Sequence, residues 1–101
     1  MVKEVYQVYL SKSAAKTGKK QGKAFDIKIG TILKQLSKTP IPGQAERLSG
    51  EFNFLYSYHF TNNGTAFRLC YQVSEEAKTI TVVLIGPREN FYKILKQKLS
   101  F

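Results

Sequence analysis

The sequence predicts an α+β protein with the order β-α-α-β-β-β-α. Three observations predict it. Apolar residues recur at helical spacing from Lys23 to Lys38. Two runs of alternating character, 51–60 and 66–73, flank the turn signal Asn62-Asn63-Gly64. A β-branched run, Thr79 to Ile85, stops at Gly86-Pro87. With 101 residues the chain fits a single domain, 1–101.

The elements follow in order. Residues 3–10 (KEVYQVYL) read as a strand rich in β-branched and aromatic side chains. Ser11 or Ser13 can cap a short helix that runs to about Thr17. Gly18 and Gly22 then bracket a lysine-rich turn. In the next helix Phe25, Ile29, Ile32, Leu33 and Leu36 form one stripe, with Lys28, Lys34 and Lys38 off it. The two helices should form a hairpin packed on the sheet. Pro40, Pro42 and Gly43 stop the second helix, and a short turn around Leu48 ends at Gly50. Along 51–60, Phe52, Phe54, Tyr56, Tyr58 and Phe60 should face one way, with Glu51, Asn53, Leu55, Ser57 and His59 opposite. In the returning strand Phe67, Leu69, Tyr71 and Val73 share a face, and Arg68, Cys70 and Gln72 the other. Glu75-Glu76-Ala77-Lys78 makes the next hairpin turn, and the run after it reads as a central strand. A last helix is expected from near Arg88, carrying Phe91, Ile94, Leu95 and Leu99. The final three strands should form an antiparallel meander that the N-terminal strand joins.

Composition limits the classes of function. No apolar run approaches the roughly 20 residues needed to cross a bilayer, and the N-terminus has no continuous apolar core of a signal. The expectation is a cytoplasmic protein without a membrane partner. Cys70 is the single cysteine, so no internal disulfide forms; in an apolar strand it reads as a buried structural thiol. One His, one Cys and scattered carboxylates give no metal-ligand spacing, and no phosphate loop or dinucleotide fingerprint is present. Neither a metal nor an organic cofactor is expected.

The net charge of +9 is unevenly placed. Residues 1–38 hold nine Lys against Glu4 and Asp26, whereas 39–87 hold Arg47, Arg68 and Lys78 against four Glu. The positive charge therefore sits on the predicted helices, where it favours a polyanion or an acidic partner. Lys19, Lys20, Lys23, Lys28, Arg47, Lys93 and Lys96 are the candidates for RNA contact.

Five residues are candidates for chemistry. Arg68, mid-strand among apolar residues, must be exposed on an open face, paired (for instance with Glu51), or held for an anion. Arg88 follows the central strand, where a helix N-terminus would add attraction for a phosphate. Tyr92, one helical turn further on, can stack on a base, donate a proton or pack. His59 shares a predicted face with Glu51 and Ser57 and can titrate near neutrality. Glu89 can be a base or a first-turn acid that favours the helix. This inventory suits metal-free RNA cleavage, in which the 2′-hydroxyl attacks the neighbouring phosphate. It equally suits a protein that binds RNA without reaction.

Taken together the pieces resemble the RelE/ParE superfamily of toxins from bacterial type II toxin–antitoxin systems, nearer its RelE/YafQ-like mRNA interferases. The resemblance rests on the early strand and helical hairpin, then Pro42-Gly43 and Leu48-Ser49-Gly50. It continues in Ala66-Phe67-Arg68-Leu69-Cys70-Tyr71-Gln72-Val73, and in Thr79 to Gly86 followed by Arg88-Glu89-Asn90-Phe91-Tyr92. It implies a ribosome-dependent endoribonuclease acting on translated mRNA, neutralised by a cognate antitoxin with which it could form a heterotetramer. In those terms Arg68 meets the phosphate at the cut, Arg88 takes the basic position after the last strand, and Tyr92 is the late aromatic. The segment 51–60 lacks the lysines that some relatives place there, so His59 or Glu89 stands in for the base. The superfamily also holds gyrase-poisoning and inactive members, which gives the alternative of action by protein binding alone.

Overall fold

The computed structural model describes residues 5–99. Its order is β1 (Gln7–Leu10), α1 (Lys12–Gln21), α2 (Lys23–Lys38), β2 (Ala45–Arg47), a 3-10 turn (Gly50–Phe52), β3 (Tyr56–Asn62), β4 (Thr65–Ser74), β5 (Thr79–Pro87) and α3 (Phe91–Leu99). The strands form one sheet in the order β1-β5-β4-β3-β2. β3, β4 and β5 are the expected antiparallel meander. β1 joins it in parallel to β5, which is thereby paired on both sides. The part of the predicted first strand at residues 3–4 lies outside the described residues.

Two apolar clusters sit on opposite faces of the sheet. One is built from Phe25, Ile29, Ile32 and Leu36 of α2 and Ala14 of α1, against Tyr58, Phe67, Leu69, Tyr71, Ile80 and Val82. The lysines off that stripe are exposed. The other packs Phe91 and Leu95 of α3 against Leu48, Leu55, Cys70 and Leu84. Fully burying one such side chain contributes about 1.5–3 kcal/mol before the cost of ordering the chain.

A bulge in β5 serves both clusters. Cys70 pairs with Leu84 and Tyr71 with Val82, so Val83 is the extra residue. Strict alternation from Ile80 and Val82 would turn Leu84 toward α2. The inserted residue instead places Val83 and Leu84 under α3 and returns Ile85 to the α2 side. Ser11 is tied to this point. Its hydroxyl accepts from the Ala14 N–H at 3.1 Å, capping α1, and donates to the Val83 carbonyl at 2.9 Å.

Four sequence expectations need correction. α1 continues through Gly18 to Gln21 instead of ending near Thr17, and the turn shrinks to Gly22 at φ +95°. Gly18 is buried where α2 comes close; a Cβ there would stand 2.5 Å from Asp26 Oδ1. The turn around Leu48 holds a further strand, β2, paired with β3, so the sheet has five strands among the described residues. Residues 51–55 are not strand. The 3-10 turn sends Phe52 to the α3 cluster, and Phe54 is exposed rather than aligned with Tyr58. Finally, α3 starts at Phe91, not near Arg88. The Arg88 N–H bonds the Ala66 carbonyl at 2.9 Å, which extends the sheet, and Asn90 takes φ +59° before the helix begins.

Candidate functional site

Register places His59 and Arg68 on one face. His59 of β3 is directly opposite Arg68 of β4, which is opposite Gly86 of β5. One row further along, Thr61 faces Ala66, whose carbonyl holds the Arg88 N–H. One row back, Ser57 faces Cys70, which faces Leu84, and α3 covers that row. Side chains two apart on a strand share a face. The His59, Arg68 and Arg88 rows therefore lie on the α3 side of the sheet, just beyond the helix's first turn.

A cavity of about 400 Å³ opens there, lined by His59, Phe60, Thr61, Ala66, Phe67, Arg68 and Arg88. Arg68 forms one wall. It donates a hydrogen bond from Nη1 to the Tyr92 hydroxyl, and its guanidinium carbon lies 5.0 Å from the Tyr92 ring centroid. The expected Arg68–Glu51 pair does not form; Glu51 meets Lys96 at 3.7 Å. The i, i+4 relation between Arg88 and Tyr92 also fails, because Arg88 precedes α3. Arg68 links the two instead, sharing a cavity with Arg88 and a hydrogen bond with Tyr92.

His59 has a partner that sequence reasoning missed. Glu46 of β2 is opposite Ser57, and its Oε1 reaches diagonally to 3.2 Å from His59 Nε2. That distance suits an ion pair, but the N–H direction is not aligned for a hydrogen bond. The expected face-sharing of His59 with Ser57 holds; that with Glu51 does not, since Glu51 lies in the 3-10 turn. Three polar atoms on this face are buried without a hydrogen-bond partner in the structure: Ser57 Oγ, His59 Nε2 and Arg68 Nε. Such atoms are costly unless a ligand or water completes them.

The remaining candidates divide. Glu89 lines a separate recess with Thr65, Ala66, Pro87 and Arg88, outside the cavity of His59 and Arg68. Lys28 donates from Nζ to the Thr61 carbonyl, which brings it to the rim of that cavity. Arg47 donates from Nε to the Asn53 carbonyl at 2.7 Å, and lines a second cavity with Glu46, Leu48, Ser49, Phe52 and Tyr92. Lys96 is engaged with Glu51, while Lys19, Lys20, Lys23 and Lys93 are exposed on the helices. Cys70 is fully buried, as the sequence suggested, and burial pushes its thiol up to about 12. Among the described residues no three His, Cys, Asp or Glu side chains come together, and no helix is long and apolar enough to cross a membrane.

Comparison with known proteins agrees with this architecture. A search of curated proteins finds no match. Among solved structures, the free form of a double-arginine mutant of the E. coli toxin RelE superposes with a TM-score of 0.74 at 20% identity, covering 95% of this chain and 96% of that one. A RelBE toxin–antitoxin complex from Mycobacterium tuberculosis gives 0.66 at 21%, covering 83% and 99%. The archaeal RelE–RelB complex from Pyrococcus horikoshii gives 0.64 at 23%, covering 84% and 97%. At such identities the likeness shows the fold. The family itself is shown by a sequence model, described as the ParE-like toxin of type II bacterial toxin–antitoxin systems, that matches residues 8–96. The chain is therefore a toxin of the RelE/ParE superfamily, a member of the ParE-like family of type II toxin–antitoxin systems.

Proposed function

We propose that this toxin is a metal-independent endoribonuclease that cuts translated mRNA on the ribosome. The observation that carries this reading is the placement of Arg68. It shares a cavity with His59 and Arg88, bonds Tyr92, and keeps one buried N–H without a partner. A phosphodiester would supply the missing acceptor, and two guanidiniums would face the charge that develops on it.

The reaction needs only the RNA's own nucleophile. The 2′-oxygen bonds to phosphorus, the P–O5′ bond breaks, and a 2′,3′-cyclic phosphate and a 5′-hydroxyl result. One proton leaves the 2′-hydroxyl and one is delivered to O5′. In this reading His59, with Glu46 beside it, takes the first proton. In this reading the Tyr92 hydroxyl, held by Arg68, serves the second, or the Tyr92 ring orients the base by stacking. The exposed lysines of α1, α2 and α3 dock the protein on ribosomal RNA. A cognate antitoxin, in the cytoplasm, would neutralise the activity.

The test is inducible expression in bacteria with mapping of mRNA 5′ ends. Cuts within translated codons, lost in Arg68→Ala and Arg88→Ala, are the expected result. The match to a ParE-like family model favours a second reading, inhibition of a protein target such as gyrase. Intact mRNA together with DNA-damage signalling would establish that reading and end the first.

A further inference from the structure

Lys28 of α2 is fixed at the edge of the catalytic cavity. β2 pairs with β3 only along residues 56–58, so among the described residues the edge of β3 at 59–61 has no strand beside it. Lys28 reaches that edge and donates from Nζ to the Thr61 carbonyl. A lysine on a free strand edge guards it against pairing with another chain. Two observations go beyond that role. Thr61 lines the cavity together with Arg68 and Arg88. The helix that carries Lys28 is also anchored beside it. Phe25, three residues earlier, packs on Phe67 and Phe60 with ring centroids 5.1 and 6.0 Å away, and both rings line the same cavity. The ammonium is thus held at the rim by its own bond and by the packing of its helix. The carbonyl is neutral and uses one of the three N–H donors, so it holds the charge without cancelling it.

From this placement we infer that Lys28 binds the mRNA itself, at a phosphate next to the one that is cut, and stands apart from the lysines that dock on ribosomal RNA. The inference rests on the ribonuclease reading. RNA carries one negative charge per nucleotide, so a strand held in the cavity brings further phosphates to its rim. Arg68 and Arg88 already face the cavity itself. Thr61 is two residues beyond His59, about 7 Å along β3, which matches one nucleotide step of an extended strand. A lysine suits this task, since a point charge on a flexible stem follows a phosphate without fixing its orientation. A grip one nucleotide from the reaction holds the backbone in line for attack.

The test uses purified toxin and ribosomes programmed with a short synthetic mRNA, in single-turnover conditions. Three mRNAs are compared. One has phosphates throughout; in the other two a neutral methylphosphonate replaces the first phosphate 5′ or 3′ of the one that is cut. The proteins are wild type, Lys28→Ala, Lys28→Gln and Lys34→Ala, each checked by melting. Lys28→Gln keeps a donor for the Thr61 carbonyl and removes the charge. Lys34 is an exposed lysine six residues further along α2. Both Lys28 variants should cut the all-phosphate mRNA about tenfold more slowly than wild type. On one of the two methylphosphonate mRNAs that difference should vanish, because wild type slows to the rate of the variants. Lys34→Ala, which acts on docking, should lose the same factor on all three mRNAs. Equal losses of the Lys28 variants on all three overturn the inference and leave the ribonuclease reading standing. A Lys28→Gln protein that cuts at the wild-type rate does the same. Absence of cuts by the wild type overturns both.

Discussion

Arg68 on β4 and Tyr92 on α3 are joined twice, by a hydrogen bond from the guanidinium to the phenol and by the guanidinium lying 5.0 Å from the ring centroid. The pair bridges the sheet to the helix that covers its other rows. If Arg68 holds the phosphate, Arg68→Ala should lower the rate of mRNA cleavage by roughly 10²-fold or more. Tyr92→Phe keeps the ring and removes the hydroxyl, whereas Tyr92→Ala removes both. Equal losses in the two would assign the proton role to Tyr92, and a loss only in Tyr92→Ala would assign stacking. Cleavage of a reporter mRNA in a translation extract measures all three. An Arg68→Ala protein that melts as wild type and cuts at the wild-type rate would end the assignment.

Glu46 and His59 should behave as a unit, since Oε1 and Nε2 are 3.2 Å apart across β2 and β3. Glu46→Gln and His59→Asn are each expected to slow cleavage by about 10²-fold. The double variant should be little slower than the worse single one, because groups serving one proton transfer are not additive. Losses that simply multiply would show that the two residues act separately.

Much of the scaffold was legible in the sequence because periodicity reports directly on faces. The stripe of α2, the Asn63-Gly64 turn and the alternation of β4 each had several residues to repeat. The site was legible in part. Arg68 stood out as a charge inside an apolar strand, and the register then brought His59 beside it. Glu46 as the partner of His59 was missed, and Phe52 was expected on the wrong face, for a physical reason. β2 has three residues, too few to show a period, and the 3-10 turn imitates alternation while sending Phe52 to the opposite face. The bulge at Val83 was invisible too, since a uniform β-branched run carries no mark of where its facing reverses.

Ser11 holds that reversal in place. Ser11→Ala leaves the Ala14 N–H without its cap and the Val83 carbonyl without its donor. The expected loss of stability is about 1–2 kcal/mol, read from urea unfolding midpoints. Ser11→Thr retains both groups and should lose far less. Ser11→Asp can still cap α1 but, when ionised, sets an acceptor against the Val83 carbonyl, so its stability should fall below that of Ser11→Thr. Equal stability of wild type and Ser11→Ala would show that the two bonds contribute nothing net.

The buried pair Cys70 and Tyr71 makes stability fall in alkali. Burial raises the Cys70 thiol from 9.0 to about 12. Tyr71 is raised above its ordinary 10.0, first by burial and then by Tyr56, Cys70 and Tyr58 nearby; its hydroxyl donates to the Pro40 carbonyl at 2.6 Å. Above pH 9 the unfolded chain releases the thiol proton while the folded chain keeps it. The unfolded state is therefore favoured by about 1.4 kcal/mol per pH unit on account of Cys70, until the folded thiol ionises near 12. Tyr71 adds to the slope above pH 10. Below pH 9 neither group contributes any dependence. Cys70→Val removes the first contribution, together with the minor part of the Tyr71 rise that Cys70 causes, so its stability should begin to diverge upward from that of wild type at pH 9. Urea midpoints at pH 8, 9.5 and 11 for both proteins measure the difference, which cancels the titration of the exposed lysines. Parallel pH profiles for the two would mean that the folded thiol ionises as readily as the unfolded one.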